Sequence, residues 1–388
     1  MFGDMVSTFH GMKSLQEKTH AMEGGNSDVW TQGAGELCRR EGISRKTAYK
    51  WLRRYREGGD QGLRDLSRRL LRSPNRTSDE MEQAVMDLRR EHPRKGSDVL
   101  ARMLKDRRYG PVPSKSTVTA TLRRHGLIEP AGSDKRQPYK RFEHDEPNQL
   151  WQMDLKGHIA ISGGGRCHPL TILDEHSRFS LEVRACADEK RQTVQDQVTS
   201  IFRHYGMPET MLMDNGSPWG TDLDHPFTSL VVWLIQLGVR VVHSRPYHPP
   251  RPLASSSAST GSLKAELVQG QTYTDLAHCQ SNFDRWRDFY NLERPHHALG
   301  LDTPASRYAM SSIPFPDPLP ALQYDTDDQV RRVDVSGCIS FQGRPFRVGK
   351  AFKGKPVALR PTSTDGVWNV FFSVQPIANI NLARPNTQ

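Results

Sequence analysis

Leu150-Trp151-Gln152-Met153-Asp154-Leu155-Lys156, taken with Met211-Leu212-Met213-Asp214-Asn215-Gly216, decides the reading of this chain. In each, apolar residues lead into one aspartate, the pattern of a buried strand that delivers a carboxylate at or near its end. Two such strands bring acidic groups together from distant parts of a sequence. Paired carboxylates on rigid elements are what a hard divalent cation such as Mg²⁺ requires. A lone aspartate after a strand more often only opens a turn, so the case rests on what surrounds the pair.

Around these strands the chain alternates in type. Strands are expected at 150–156, 167–173 and 179–185, with Gly163-Gly164-Gly165 turning the first hairpin. A helix over 189–205 would bury Val194, Val198, Ile201, Phe202 and Tyr205. A strand at 210–214, a helix near 226–237 and a strand at 239–244 follow. Three strands, helix, strand, helix, strand is a mixed α/β sheet covered by helices. That order puts Asp154 on the first strand and Asp214 at the end of the fourth, neighbours in space across 214 − 154 = 60 positions.

Upstream, the charge is concentrated. The net charge is +10, and residues 36–72 hold 12 Lys/Arg against 5 Asp/Glu, or +7, the signature of a polyanion-binding module. Glu36–Glu41 reads as a short helix, Gly42-Ile43 as a turn and Ser44 as the N-cap of a helix to about Arg56. Ala48, Trp51, Leu52 and Tyr55 form its core stripe. Arg45, Lys46, Thr47, Tyr49 and Lys50 mostly lie off that stripe near the helix start, the end that helix-turn-helix proteins present to the major groove. The bland reading is a solvated basic face on a structural hairpin. Arg53, Arg54, Arg68, Arg69 and Arg72 fit phosphate contacts, which add affinity without sequence selection.

A second helical set follows. One helix is capped by Thr77 or Ser78, carries Met81, Val85 and Leu88 on one face and stops at Pro93. Another runs from about Ser97, and a third starts after Ser114, turns Val118 and Leu122 inward and ends at His125-Gly126. These read as a second helix-turn-helix with Arg123 and Arg124 exposed. Beyond the sheet, Thr274 or Asp275 starts a helix with Phe283, Trp286 and Tyr290. The Pro-rich run 313–320 marks a linker, and short alternating runs separated by glycines and Asp-Gly give a small β-barrel. The expected division is 1–35 poorly ordered, 36–75 and 76–128 helix-turn-helix, 129–148 linker, 149–310 mixed-sheet domain, 311–329 linker and 330–388 barrel.

Composition excludes several classes. With 35% hydrophobic residues and no apolar run of membrane-span length, no membrane role is expected. The start lacks a secretory pattern. Cys38, Cys167, Cys186, Cys279 and Cys338 show no C-x-x-C spacing, so neither zinc site nor disulfide framework is expected, and a cytoplasmic location fits.

The ordered set of motifs resembles the DDE transposases of bacterial insertion sequences, whose catalytic domain is of the retroviral-integrase, RNase H-like type. The matching pieces are Glu36-Leu37-Cys38-Arg39-Arg40 with Gly42-Ile43-Ser44-Arg45-Lys46-Thr47, Trp151-Gln152-Met153-Asp154, Leu173-Asp174-Glu175-His176-Ser177-Arg178, Met213-Asp214-Asn215-Gly216, Tyr247-His248-Pro249, and Tyr290-Asn291 with Arg294-Pro295-His296. The resemblance implies an RNase H-like core preceded by two all-α helix-turn-helix modules and followed by a small β-barrel. It implies Mg²⁺ (or Mn²⁺) held by Asp154, Asp214 and a glutamate. It also implies double-stranded DNA, both element ends and target, as partner, homo-oligomers on that DNA, and action at the bacterial nucleoid. Asp174 is read as positioning strands and loops, His296 and His297 as packing residues, and Lys156, His158 and Asn215 as neighbours able to touch phosphate or water.

One part of the pattern is missing. The family's glutamate follows the His-Pro corner on a helix, in a stretch like Gly-Lys-x-Glu-Arg-Phe-His. This chain has Pro250-Arg251-Pro252-Leu253-Ala254-Ser255-Ser256-Ser257-Ala258-Ser259-Thr260-Gly261, and no acidic residue occurs between Asp224 and Glu266. Codons for Ala254–Gly261 such as GCA AGC TCG AGC GCT TCC ACC GGC, read two bases later, give Lys-Leu-Glu-Arg-Phe-His-Arg, so a compensated local frameshift accounts for the loss. Impaired strand transfer is therefore expected, the alternative being an inactive DNA-binding remnant or competitor of active transposases. Glu266 would replace the lost ligand only if its helix slid by more than two turns.

Overall fold

The computed structural model describes residues 38–39, 42, 44–63, 77–128, 143–155, 157–220, 227–243, 266–267 and 271–383. Contacts divide the chain into two units, 1–76 and 77–388.

The first unit carries helix α1, Arg45–Gly58, capped by Ser44, whose hydroxyl accepts from the Thr47 amide at 3.1 Å. A serine cap contributes about 1 kcal/mol. Ala48 is buried, and Trp51 and Tyr55 are half-buried on the expected stripe. The Leu52 side chain, Arg68, Arg69, Arg72 and most of the expected first helix lie outside the described residues.

In the second unit, α2 (Asp79–Glu91), α3 (Ser97–Asp106) and α4 (Lys115–Arg124) pack around Val85, Leu88, Leu100, Met103, Leu104, Val118 and Leu122. Ser78 and Ser114 cap α2 and α4. Gly126, at φ 67°, ends α4 in the left-handed region that glycine enters freely.

The central sheet is built from β1 (Leu150–Leu155), β2 (Ile159–Ala160), β3 (Arg166–Asp174), β4 (Ser180–Cys186), β5 (Thr210–Met213) and β6 (Arg240–His243). β4, β3 and β1 are antiparallel neighbours, whereas β1, β5 and β6 run parallel in that order. The short β2 was not expected. α5 (Arg191–Tyr205) and α6 (Ser229–Gln236) cover one face, burying Val194, Val198, Phe202, Leu230 and Leu234 against Trp151, Met153, Met211 and Met213. α7 (Leu276–Asp288), capped by Asp275, covers the other with Phe283 and Trp286 beside Cys167, Leu173 and Val183. This is the mixed α/β core that the strand pattern requires, and the sheet order is that of an RNase H-like fold.

Residues 311–328 form no regular element yet pack on the core: Ile313 O accepts from the Met207 amide at 2.8 Å, and Phe315 lies 6.4 Å from Phe202. β7 (Gln329–Arg332), β10 (Pro356–Pro361), β11 (Val367–Phe372) and β12 (Gln375–Asn381) then form a four-stranded antiparallel sheet in the order β12-β11-β10-β7. β8 (Cys338–Phe341) and β9 (Arg344–Arg347) form a separate hairpin. The small C-terminal β unit is present, built as a sheet and a hairpin rather than one closed ladder. Its apolar side chains, among them Phe341, Phe352 and Phe372, join the same cluster as the sheet's α5–α6 face. All five cysteines are free thiols.

Candidate active site

Register relates the strands that carry the two aspartates. Trp151 stands opposite Met211 and Gln152 opposite Leu212, where the paired stretch ends, two residues short of Asp154 and Asp214. Residues 151, 153, 211 and 213 enter the α5–α6 core, so alternation turns 154 and 214 to the α7 face. Neighbouring strands lie about 5 Å apart, and the two aspartates follow the paired residues of adjacent strands at the same end of the sheet.

The backbone around them is held. Asp214 follows β5 directly, its carbonyl accepts from His243 Nδ1 at 2.8 Å, and its Oδ1 accepts from the Gly216 amide at 3.1 Å. A Cβ on Gly216 would stand 3.4 Å from both Asp214 carboxylate oxygens, so the glycine keeps the space before them open. Thr171 Oγ1 donates to Asp154 O at 3.1 Å across the β1–β3 ladder. Asp154 is half-buried and Asp214 exposed.

The remaining sequence candidates divide. Lys156 and the Pro250–Gly261 stretch lie outside the described residues. His158 is exposed with its ring 6.1 Å from His168, whose Nδ1 meets Glu189 Oε1 at 2.8 Å. Asn215 is half-buried beside Asp214. Among the described residues, no group of three or more His, Cys, Asp or Glu is arranged to hold a metal ion.

Asp174 is fully buried and accepts from the Asn148 amide at 2.7 Å, the Ser177 amide at 2.8 Å and Ser177 Oγ at 2.5 Å. Burial pushes its carboxyl above the usual range against these donors. Glu175 beside it joins His144 and Arg178. These acids lock the β3–β4 turn onto the entry to β1. His296 packs edge-on against Tyr290 at 4.6 Å, while His297 is exposed.

Glu266 is occupied. Its oxygens meet Lys95 Nζ at 3.0 Å, Trp286 Nε1 at 2.8 Å and Arg294 Nη1 at 3.4 Å. Burial by itself would raise this carboxyl, but Arg294, Lys95 and Trp286 outweigh it and hold it below the usual range. Sequence reasoning missed this cluster, because Lys95 is 171 positions away and nothing local marks the pairing.

The DNA-binding candidates on α1 are arranged as expected of a basic helix face. Arg45, Lys46, Tyr49, Lys50 and Arg53 are exposed, Thr47 sits in the capped first turn, and Arg54 lies 4.5 Å over the Trp51 ring. On α4 the two arginines differ. Arg123 is exposed and lines a shallow open groove with Ser114, Lys115, Ser116 and Thr119. Arg124 turns back to Glu82 at 2.5 Å, which also meets His125 at 3.2 Å. Glu82, an unexpected buried acid, thus ties α4 to α2.

Comparison with known proteins gives domain matches along much of the chain. Residues 144–249 and 237–304 match integrase core domains, and residues 47–122 match a homeodomain-like domain. Residues 328–388 match the C-terminal domain of IS481 family transposases. By domain content the chain thus combines a homeodomain-like domain, integrase core domains and an IS481-type C-terminal domain. It is 25% identical over 178 residues to the insertion element IS476 uncharacterized 39.2 kDa protein of Xanthomonas euvesicatoria, covering 44% of this chain and 49% of that protein. It is 26% identical over 161 residues to the insertion element IS407 uncharacterized 31.7 kDa protein of Burkholderia multivorans, covering 41% and 54%. The chain thus spans about half the length of the curated relatives it matches. Among solved structures, the simian T-cell lymphotropic virus intasome in complex with PP2A regulatory subunit B56 gamma aligns at TM-score 0.35 and 14% identity, covering 78% of this chain and all of that one. The HTLV-2 integrase catalytic core domain in complex with magnesium aligns at TM-score 0.31 and 13% identity, covering 42% and 97%. No described helix is long and apolar enough to cross a membrane.

Proposed function

We propose that this chain binds the terminal inverted repeats of an insertion element and carries the remains of a metal-dependent strand-cleavage and transfer site. The observation that supports the reading is the parallel β1–β5 register, Trp151 opposite Met211 and Gln152 opposite Leu212, with Asp154 and Asp214 each two residues further along. Their chemistry fits a hard cation: two carboxylates at an open end of a sheet, with Gly216 leaving the space free. Asp154 and Asp214 would hold Mg²⁺ or Mn²⁺. Such an ion, when bound, supplies charge stabilisation at a phosphoryl oxygen and activates a water or 3′-hydroxyl.

The chain's own residues do the rest. Arg45, Lys46, Thr47, Tyr49 and Lys50 address the groove, Arg53 and Arg54 the phosphates. Arg123 gives α4 a second DNA contact; Lys115 beside it is paired with Asp98 at 2.9 Å. Arg124 contributes less, because Glu82 already neutralises it. Homo-oligomers assemble on the DNA, in the bacterial cytoplasm at the nucleoid.

A second reading, a DNA-binding protein with little or no catalysis, draws on a specific observation. The nearest acid after the missing position, Glu266, is saturated by Lys95, Trp286 and Arg294. Incubating the purified chain with inverted-repeat DNA and Mg²⁺ or Mn²⁺ separates the two. Binding without strand cleavage supports the second reading, cleavage and joined products support the first, and absence of both removes the proposal.

A further inference from the structure

Glu266 ends the stretch that leaves β6 beside Asp214, and its neighbour Leu267 packs on the α7 face of the sheet. The three donors on its carboxylate come from two sides. Lys95 belongs to the turn between α2 and α3, whereas Trp286 and Arg294 belong to α7 and its continuation. The contact is largely enclosed: the side chains of Lys95 and Glu266 are 8% and 22% exposed. His92 stacks on Phe289 at 4.8 Å, and Phe289 and Leu301 pack on the core of the three-helix module. Other ion pairs cross the same contact, Arg102–Asp302 at 3.2 Å and Arg107–Glu293 at 3.8 Å. Those are largely solvated and contribute little, whereas removing one partner of a buried pair leaves an uncompensated charge and is strongly destabilising. Among the polar contacts that hold the module on the sheet domain, the Glu266 carboxylate is the one that gathers three donors from both sides.

We propose that Glu266 is a positioning residue: its pin to Lys95, Trp286 and Arg294 fixes the α2–α4 module on the sheet domain, so that a duplex held by α4 is presented in a fixed register to the Asp154–Asp214 pair. This rests on the reading that α4 grips DNA beside that pair. Without the pin, the module would hold the same duplex at many offsets from the pair. Affinity, carried by the basic residues of α1 and by Arg123 on α4, survives; registration is set by Glu266 and does not.

The test uses the full chain and a duplex recovered by it from a random-sequence pool. In a Cys338→Ser background, Asn215→Cys carries a tethered iron chelate that cuts DNA by local radicals, so the readout needs neither a resident metal nor catalysis. The parent gives a focused cut at one offset from the bound site. Glu266→Gln keeps its affinity and loses the focus; Glu266→Met with Lys95→Met, which refills the joint with apolar groups, regains it. Should Glu266→Gln fail to fold, Lys95→Ala, which leaves Trp286 and Arg294 on Glu266, blurs the cut instead. A cut equally focused in parent and variants, or no cut from the tether, overturns the proposal. Lys115→Ala with Arg123→Ala examines the underlying reading alone: unchanged affinity removes DNA from α4, while faster amide exchange of α2 in Glu266→Gln still reports the joint.

Discussion

His296 ties the fold's stability to acidity through a single ring. Burial, and then Arg294 nearby, push its pKa from 6.5 down to about 3, so the folded chain keeps it neutral. Its Nε2 has no hydrogen-bond partner among the described residues. The unfolded chain takes up a proton below pH 6.5 that the folded chain refuses until about pH 3. Stability from this site is therefore complete above 6.5 and drains away as the pH falls through that window. His296→Phe, which keeps an aromatic ring against Tyr290, should flatten the acid loss seen in urea unfolding between pH 7 and pH 4; parallel curves for both proteins would refute this. Gly216→Ala is the matching experiment at the carboxylates. Its Cβ would press on both Asp214 oxygens at 3.4 Å, so calorimetry should find weaker Mg²⁺ binding while stability moves by less than about 0.5 kcal/mol, as for an ordinary surface change. Equal binding would mean that Asp214 faces elsewhere. The proposal for Asp154 and Asp214 rests on strand alternation, which suggests a terminal acid without knowledge of the fold. The saturation of Glu266 and the burial of Glu82 were not legible, since both depend on partners distant in sequence.

Elements announced themselves wherever a local rule governs them. Ser44, Ser78, Ser114 and Asp275 each cap the helix they precede, because a side-chain oxygen satisfying an orphan amide is a property of four consecutive residues. β12 went unread, since Pro376 and the polar Asn379 and Asn381 break the alternation of an edge strand that tolerates proline. β12 also carries a contact that no periodicity reveals. The Gln375 side chain accepts from the Val241 amide at 2.8 Å and donates to Val241 O at 2.9 Å. One amide thus stands in for a further strand on the outer edge of β6, blunting an edge open to foreign pairing. Gln375→Ala should cost about 1–3 kcal/mol, from two backbone groups losing their partners. Amide exchange at Val241 is expected to rise before that of Met211 on the inner strand; equal protection in the variant would show that water serves the edge as well.

At the scale of the whole molecule, the second unit buries the sheet's α5–α6 face together with the C-terminal β unit in one apolar cluster, and pins the three-helix module to the other side through Glu266. What this rigid assembly lacks is an acid in the stretch after the His-Pro corner. The proposed local frameshift requires intact strands, caps and cores on both sides of that stretch, and these are present among the described residues. A variant with Lys-Leu-Glu-Arg-Phe-His-Arg in place of residues 254–260 restores a carboxylate without touching Asp154, Asp214 or Glu266. Its affinity for inverted-repeat DNA should rise only slightly, because the segment's gain of charge is small beside the 12 basic residues in 36–72. Its Mg²⁺ affinity should rise by at least about tenfold, the lower bound for losing even an outer partner of a bound ion, and Mg²⁺-dependent nicking of that DNA should appear. Nicking of equal rate by the parent chain would show that two carboxylates suffice. A restored variant that binds DNA yet neither holds Mg²⁺ nor nicks would place the damage elsewhere than in the lost glutamate.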